Sequence, residues 1–218
     1  MRIRDSEKWL ARVFAATNTE ALVRNYDKWA DTYDSDMSSL GYLNPAVAVS
    51  LVSRHVKANE EPMLDAGVGT GILGEVLHAV GYRNLTGIDI SDGMLARARL
   101  KKLYRELRKG ILGETLEFAD ASFATIVSTG VFTTGHATPA AFDELLRITR
   151  PNGYLIFTVG NWAYEQGGFK KKQKQLEAAR RWQLVEATGP YRPMPQVAPL
   201  VAPLADKLTT RCFVYKAN

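Results

Sequence analysis

The chain is 218 residues long, with 46% hydrophobic and 23% charged residues, the balance of one soluble globular domain large enough to bury a substantial core. Its net charge of +5 comes from 28 Lys and Arg against 23 Asp and Glu, too diffuse to mark a nucleic-acid surface, and no apolar run is long enough to span a bilayer. The single cysteine, Cys212, excludes an intramolecular disulfide and a multi-cysteine zinc site; with no secretory h-region at the start, the expected compartment is the cytoplasm.

Residues 1–37 carry helical periodicity, with Trp9-Leu10, Val13-Phe14, Leu22-Val23 and Tyr26 spaced among charges. Tyr26, Trp29 and Tyr33 recur at three- and four-residue spacing, which places them on one face of a helix. That face is either a core-facing stripe or a lid whose rings would suit a cationic sulfonium. Asn44-Pro45 opens a further helix, Ala46 to Lys57, with proline in the first turn where its missing N–H is no loss. His55 on this helix and His78 on the next are expected to be solvated.

The stretch Pro62 to Gly71 sets the functional reading. Met63-Leu64 is the end of a buried strand, Asp65 closes it, and Gly67, Gly69 and Gly71 follow at alternate positions. Ile72 to Val80 then forms a helix that stops at Gly81. Strand, glycine turn and helix make a cofactor cradle. Glycine admits positive φ and a close ligand, and the helix N-terminus offers free N–H groups. Two classes of cofactor use such a turn. Gly69, Gly71 and Gly74 match the dinucleotide fingerprint G-x-G-x-x-G, with Asp89 placed 20 residues after Gly69 as a ribose-binding acid. Counted from the strand end, the same stretch is D-A-G-V-G-T-G, and Gly74 falls inside the helix. In that form it resembles the first motif of the class I S-adenosylmethionine (SAM) methyltransferases. There the acid region and the glycine backbone meet the aminoacyl part of SAM, which implies contacts at Asp65, Ala66, Gly67, Gly69 and Gly71.

Leu85 to Ser91 reads as a second strand ending at an acid, Asp89, whose carboxylate can accept from both hydroxyls of a ribose. Ser91 is suited to cap the helix that starts at Asp92. The block G-I-D-I-S-x-x-M-L resembles the second SAM methyltransferase signature, which implies cofactor contacts at Asp89 and Ile90 and places Met94 on the adenine face. From Asp92 to Lys109 the sequence is helix-like and basic, a pattern that usually marks a solvated face. A third strand is therefore expected to be very short, around Lys102–Tyr104, or missing.

Thr125 to Gly130 is a β-branched strand whose C-terminal end lies at the ligand crevice of an α/β sheet, placing Thr129 and Gly130 beside the cofactor. His136 follows in a short loop and is the candidate base, because its proton can leave near neutral pH; the alternative is a loop histidine that holds backbone. A helix from Pro139 to Thr149, a turn at Arg150-Pro151-Asn152-Gly153 and a strand from Tyr154 to Val159 come next. E-L-L-R-I-T-R-P-N-G-Y-L-I-F-T-V is similar to the helix–turn–strand-five block of the same methyltransferases. Two positions depart from that pattern. Phe123-Ala124 lacks the usual acid, and apolar Ile111-Leu112 stands where an acid normally meets the adenine amino group, so Leu112 would border adenine by backbone or shape. After a basic helix, Gly167 to Trp182, come a strand from Gln183 to Thr188 and a proline-rich loop over 190–203 that includes the quartet Val-Ala-Pro-Leu at 197–200 and again at 201–204. The last strand is Thr209 to Lys216.

The resemblance spans roughly residues 22–218. Within it, Y-D-K-W-A-x-x-Y-D, L-D-A-G-V-G-T-G, L-Y-R-E-L, I-L-G-E-T-L, G-V-F-T-T-G-H and F-D-E-L-L-R-I-T-R-P-N-G are most similar to the methyltransferase-like family named after the Williams–Beuren syndrome chromosome region. It implies an α/β, Rossmann-like sheet of seven strands in the order 3-2-1-4-5-7-6, strand 7 antiparallel, under an N-terminal helical lid. One domain over 1–218 would divide into a helical cap (1–57), a SAM-binding core (58–160) and a C-terminal helix with closing hairpin (161–218). Trp29 and Tyr33 would lie over the cofactor and Tyr104 would close its adenine side; no metal is implied. The reaction implied is transfer of the SAM methyl to an O, N or S nucleophile of a small molecule, leaving S-adenosylhomocysteine (SAH), by a monomer or homodimer. No Asn-Pro-Pro-Tyr-type sequence follows strand four, where Ser128-Thr129-Gly130-Val131-Phe132 stands, so nucleic acid is not the expected acceptor. Two alternatives stay open: a SAM- or SAH-binding regulator that does not methylate, and an NAD(P)-dependent oxidoreductase using Gly69–Gly74.

Overall fold

One seven-stranded sheet, in the order β3-β2-β1-β4-β5-β7-β6, organises a computed structural model that describes residues 5–58, 62–197 and 209–218. The strands are β1 (Met63–Ala66), β2 (Leu85–Asp89), β3 (Glu106–Lys109), β4 (Phe123–Phe132), β5 (Thr149–Gly160), β6 (Trp182–Ala187) and β7 (Thr210–Ala217). Strands β1 to β5 pair in parallel; β7 is antiparallel to both β5 and β6. This is the order and orientation the motif resemblance implied. The tandem proline quartets lie, apart from Val197, outside the described residues.

Both faces of the sheet are covered, so its central strands read as unbroken apolar runs rather than alternating ones. Along β5, Leu155, Phe157 and Val159 enter one core with Phe142, Phe169 and Trp182. The intervening Ile156 enters the other, with Val52, Leu77 and Val214. Successive side chains of a strand point to opposite faces, and here each face is closed by helices. On the first side lie α7 (Ala141–Ile148) and α9 (Phe169–Ala178); on the second lie α4 (Asn44–His55) and α5 (Ile72–Ala79). Two further helices are α6 (Asp92–Lys101) and α8 (Asn161–Gln166). Phe142 packs within 4.7 Å of the Phe157 ring and 5.2 Å of Trp182.

The N-terminal cap consists of α1 (Asp5–Phe14), α2 (Thr19–Trp29) and α3 (Tyr33–Ser39), with its own cluster around Leu10, Trp29, Leu40 and Met194. Asn18 caps α2, its side chain accepting from the Ala21 N–H at 2.8 Å. The expected single aromatic face is split, since Tyr33 begins α3 instead of continuing α2. The rings still meet: Trp29 and Tyr33 are edge to face at 4.7 Å, and Tyr26 stacks on Trp29 at 6.2 Å.

Four expectations are corrected. The helix after β2 ends at Lys101, where Lys102 takes a left-handed φ of 56°, and does not run to Lys109. The third strand is not at Lys102–Tyr104 but at Glu106–Lys109. It is an edge strand that pairs on one side only and leaves Glu106 and Lys109 exposed, so it needs no β-branched run. The basic stretch after Gly167 starts its helix at Phe169 and ends it at Ala178, and Trp182 already belongs to β6. His55 and His78 are half-buried and engaged instead of free in solvent: His55 Nε2 lies 2.6 Å from Glu186, and His78 Nε2 bonds the Leu103 carbonyl at 2.8 Å.

Candidate active site

The site is built at the C-terminal ends of β1, β2 and β4, where parallel strands leave a crevice. The turn after β1 is held by two backbone bonds, the N–H groups of Gly67 and Val68 both donating to the Ile88 carbonyl at 2.9 and 2.8 Å. Gly67, Gly69 and Gly71 all have positive φ, which L side chains rarely adopt. A Cβ at Gly67 would lie 2.2 Å from Val131, whereas one at Gly69 would meet nothing within 4 Å. The first glycine is needed by the fold; the second leaves open space beside the turn.

Asp89 ends β2 and is fixed by backbone. Its Oδ2 accepts the Gly69 N–H at 2.8 Å and its Oδ1 accepts the Ser91 N–H at 2.9 Å. A carboxylate has about four lone-pair sites, so acceptor capacity remains for a ligand hydroxyl. Burial pushes the Asp89 pKa up, opposed by those backbone donors. The cap is tied to the same place. Asp27 Oδ1 accepts from Ser91 Oγ at 2.6 Å and from the Gly93 N–H at 2.9 Å, while Ser91 Oγ accepts from the Met94 N–H. Asp34, at the start of α3, accepts from Thr70 and pairs with Lys101 at 2.6 Å.

A cavity of about 330 Å³ lies against this turn, within the size range of small-molecule sites. Of the residues expected to bind cofactor, it brings together Tyr33, Gly67, Gly69, Asp89, Ile90, Met94, Leu112, Thr129 and Gly130, with His136 on the same wall. Its acidic side chains are Asp89 and Glu114; among the described residues no lysine or arginine lines it. That donor set fits a nucleoside with a cationic tail: a carboxylate at the ribose, apolar Met94 and Leu112 for a base, and no counter-charge for a phosphate.

The remaining residues sit elsewhere. Asp65 is 1% exposed, beneath the turn, and Ala66 is buried with its carbonyl accepting from Ser128 Oγ at 2.7 Å. Gly71 occupies the N-cap of α5. Trp29 stacks between Trp9 and Tyr26 and donates Nε1–H to Asp36 at 2.8 Å. Tyr104 does not close the adenine side. Because β3 begins only at Glu106, its ring lies under α5, where a Cβ on Gly74 would come within 2.2 Å of the phenol oxygen. Gly74 therefore answers to a tyrosine, not to a pyrophosphate.

His136 is half-buried, and burial lowers its pKa. Nδ1 lies 3.0 Å from the Thr134 carbonyl, which can only accept, so Nδ1 carries the proton. In the neutral ring Nε2 then accepts, at 2.8 Å, from the Tyr26 hydroxyl. Tyr26, read from the sequence only as one ring of the aromatic stripe, joins the site, as do Asp27, Tyr42 and Glu114, which were not singled out as site residues. Asp27 stands next to Tyr26 in the Y-D-K-W-A block, but nothing local says that it caps a helix 64 residues away.

Residues 64–157 match a family model described as a methyltransferase domain. Human methyltransferase-like protein 27 is 31% identical over 183 residues, 79% of this chain and 74% of that one. Demethylmenaquinone methyltransferase of Chlorobaculum parvum is 34% identical over 160 residues, 69% of this chain and 66% of that one. A solved SAM-dependent methyltransferase from Methanosarcina mazei shares the fold, with a TM-score of 0.57 over 77% of this chain and 96% of that chain at 16% identity.

Proposed function

We propose that this chain, which belongs to the class I SAM-dependent methyltransferases, passes the methyl group of SAM to an O, N or S nucleophile of a small molecule. The observation that supports the cofactor placement best is Asp89, a carboxylate pinned by two backbone N–H groups on the wall of a cavity whose described lining holds no lysine or arginine. When bound, SAM supplies an activated methyl on a sulfonium. Asp89 would hold the ribose hydroxyls, the Gly67–Gly69 backbone the aminoacyl end, and Met94 and Leu112 the adenine.

The chain's own contribution is alignment. Holding an acceptor in line with the methyl could lower the barrier by up to ~7–11 kcal/mol without any proton transfer. A base is needed only for an acceptor that arrives protonated, and His136, kept neutral by burial, is the group we assign to that role. The small acceptor is favoured by the cap, because side chains of α2 and α3 line the crevice and narrow it. Calorimetric titration with SAM, SAH and NADPH tests the reading. Micromolar binding of the first two alone is expected; binding of NADPH alone would overturn it.

A further inference from the structure

A second cavity, of about 80 Å³, adjoins the first at the C-terminal ends of β4 and β5 and shares Tyr26, Tyr33, Gly130 and His136 with it. Resting on the methyl-transfer reading, we infer that the acceptor is an uncharged ring compound carrying a hydroxyl group, seated in this second cavity with the hydroxyl on Tyr26.

Charge, size and polarity each point that way. The described residues lining the cavity include no Asp, Glu, Lys or Arg; Phe14, Trp29, Met37 and Tyr42 are among its walls. A carboxylate entering it would lose water and meet no Lys or Arg among the described lining residues, and an ammonium would meet ring faces but no carboxylate there, so an uncharged acceptor is favoured. At ~10–15 Å³ for each water-sized occupant, the space takes about five to eight non-hydrogen atoms, a single six-membered ring with a substituent. Three of the polar side chains around it are engaged with the protein itself. Asn44 accepts from Tyr191 at 2.9 Å, Thr158 Oγ1 accepts from the Gly130 N–H at 2.8 Å, and Thr210 Oγ1 donates to the Val159 carbonyl at 2.8 Å. Hydrogen-bonding capacity is left at Tyr33 and at the Tyr26–His136 pair, both where the two cavities meet, and only the pair joins a hydroxyl to a proton acceptor. Tyr26 donates to His136 Nε2 and its oxygen can still accept.

The pair gives the hydroxyl proton a route. As the acceptor oxygen forms its bond to the methyl carbon, the carbon–sulfur bond breaks and its electron pair stays on sulfur. The acceptor proton passes to the Tyr26 oxygen while the Tyr26 proton passes to His136 Nε2. The resulting imidazolium keeps its Nδ1–H on the Thr134 carbonyl and returns the extra proton to water.

Phenol, benzoate and benzylammonium are the probes, titrated into the full chain saturated with SAH. Phenol is expected to bind at least about tenfold more tightly than either ion, with nuclear Overhauser contacts from its ring to the Trp29 indole. Equal or tighter binding of an ion, contacts confined to residues outside the second cavity, or no binding of any probe would overturn the inference. Tyr26→Phe is expected to weaken phenol about tenfold, the loss of one hydrogen bond; unchanged affinity would remove Tyr26 as the hydroxyl's partner. Absence of SAH binding at the outset would instead bring down the methyl-transfer reading itself, and this inference with it.

Discussion

The Tyr104 hydroxyl donates a 2.7 Å hydrogen bond to Asp65 Oδ2, joining the segment before β3 to the last turn of β1 from underneath. Asp65 is 1% exposed, and burial pushes its pKa up to about 7, with the Tyr104 hydrogen bond opposing the rise and the charge of Asp89 adding to it. The glycine turn is thus held from above by Asp89 and from below by a tyrosine. Tyr104→Phe leaves Asp65 without its donor, so we expect a loss of about 1–3 kcal/mol in denaturant unfolding. The Asp65 carboxyl, followed by carbon NMR, should then titrate above the value of the parent chain. An unchanged titration would show that the phenol does not hold the carboxylate.

Asp65 also makes a prediction about pH. Its folded pKa, about 7, lies above the ordinary carboxylate value of 3.8, so the folded chain holds a proton that the unfolded chain releases. Its contribution to stability is full below about pH 4 and is lost as pH rises through 7. Asp65→Asn keeps an acceptor for Tyr104 and cannot ionise. The melting temperature of the ligand-free variant should decline less between pH 4 and 7 than that of the parent; parallel curves would refute this.

Gly67 and Gly69 should separate folding from binding. At Gly67 a Cβ collides with Val131 and the backbone has φ +84°, so Gly67→Ala should lower the melting temperature strongly. At Gly69 the backbone is left-handed as well, at φ +54°, but nothing lies within 4 Å of where a Cβ would stand. Gly69→Leu should cost only about 1–2 kcal/mol in stability and abolish SAH binding in calorimetry. Retained SAH affinity would mean that the cofactor does not approach this turn.

The Tyr26–His136 pair predicts the acid side of the rate profile. Burial lowers the His136 pKa below its ordinary 6.5, so the imidazole stays neutral as pH falls until that lowered value is passed. With a hydroxyl acceptor, turnover should therefore hold from neutral pH to below 6.5 and then drop. His136→Gln should lower turnover by roughly 10²–10⁴-fold and remove that drop; a variant with the parent's rate and profile would exclude the histidine as base.

Asp27 fastens the cap to the N-terminus of α6 through Ser91 and the Gly93 N–H. Asp27→Ala should cost about 1 kcal/mol and weaken SAH binding by freeing α2 from the cofactor cavity. Thermal unfolding with and without SAH checks both. Equal stabilisation of parent and variant by SAH would show that the cap does not act on the cofactor.

Much of this molecule is written locally in its sequence. A strand stopped by Asp65, three glycines at alternate positions and a helix to follow define the turn, because positive φ and chain direction are settled by a few adjacent residues. Asp89 and Met94 are placed by the same local grammar, a strand end followed by a capped helix. The runs of β4, β5 and β7 show in their apolar and β-branched residues, since both faces of a central strand must be buried. The edge strand β3 carries no such mark, because its Glu106 and Lys109 face water and only its backbone is required.

What the sequence by itself determined, then, is the turn, the acid at the second strand and, through motif order, the sheet. Only the tertiary structure decided that Tyr104 serves Asp65 and not adenine, that Asp27 caps α6, and that Tyr26 meets His136 across a separation of 110 positions. Propensity and periodicity act over a few residues along the chain. A buried hydroxyl or imidazole takes whichever partner packing brings within about 3 Å, and that choice belongs to the whole assembled core.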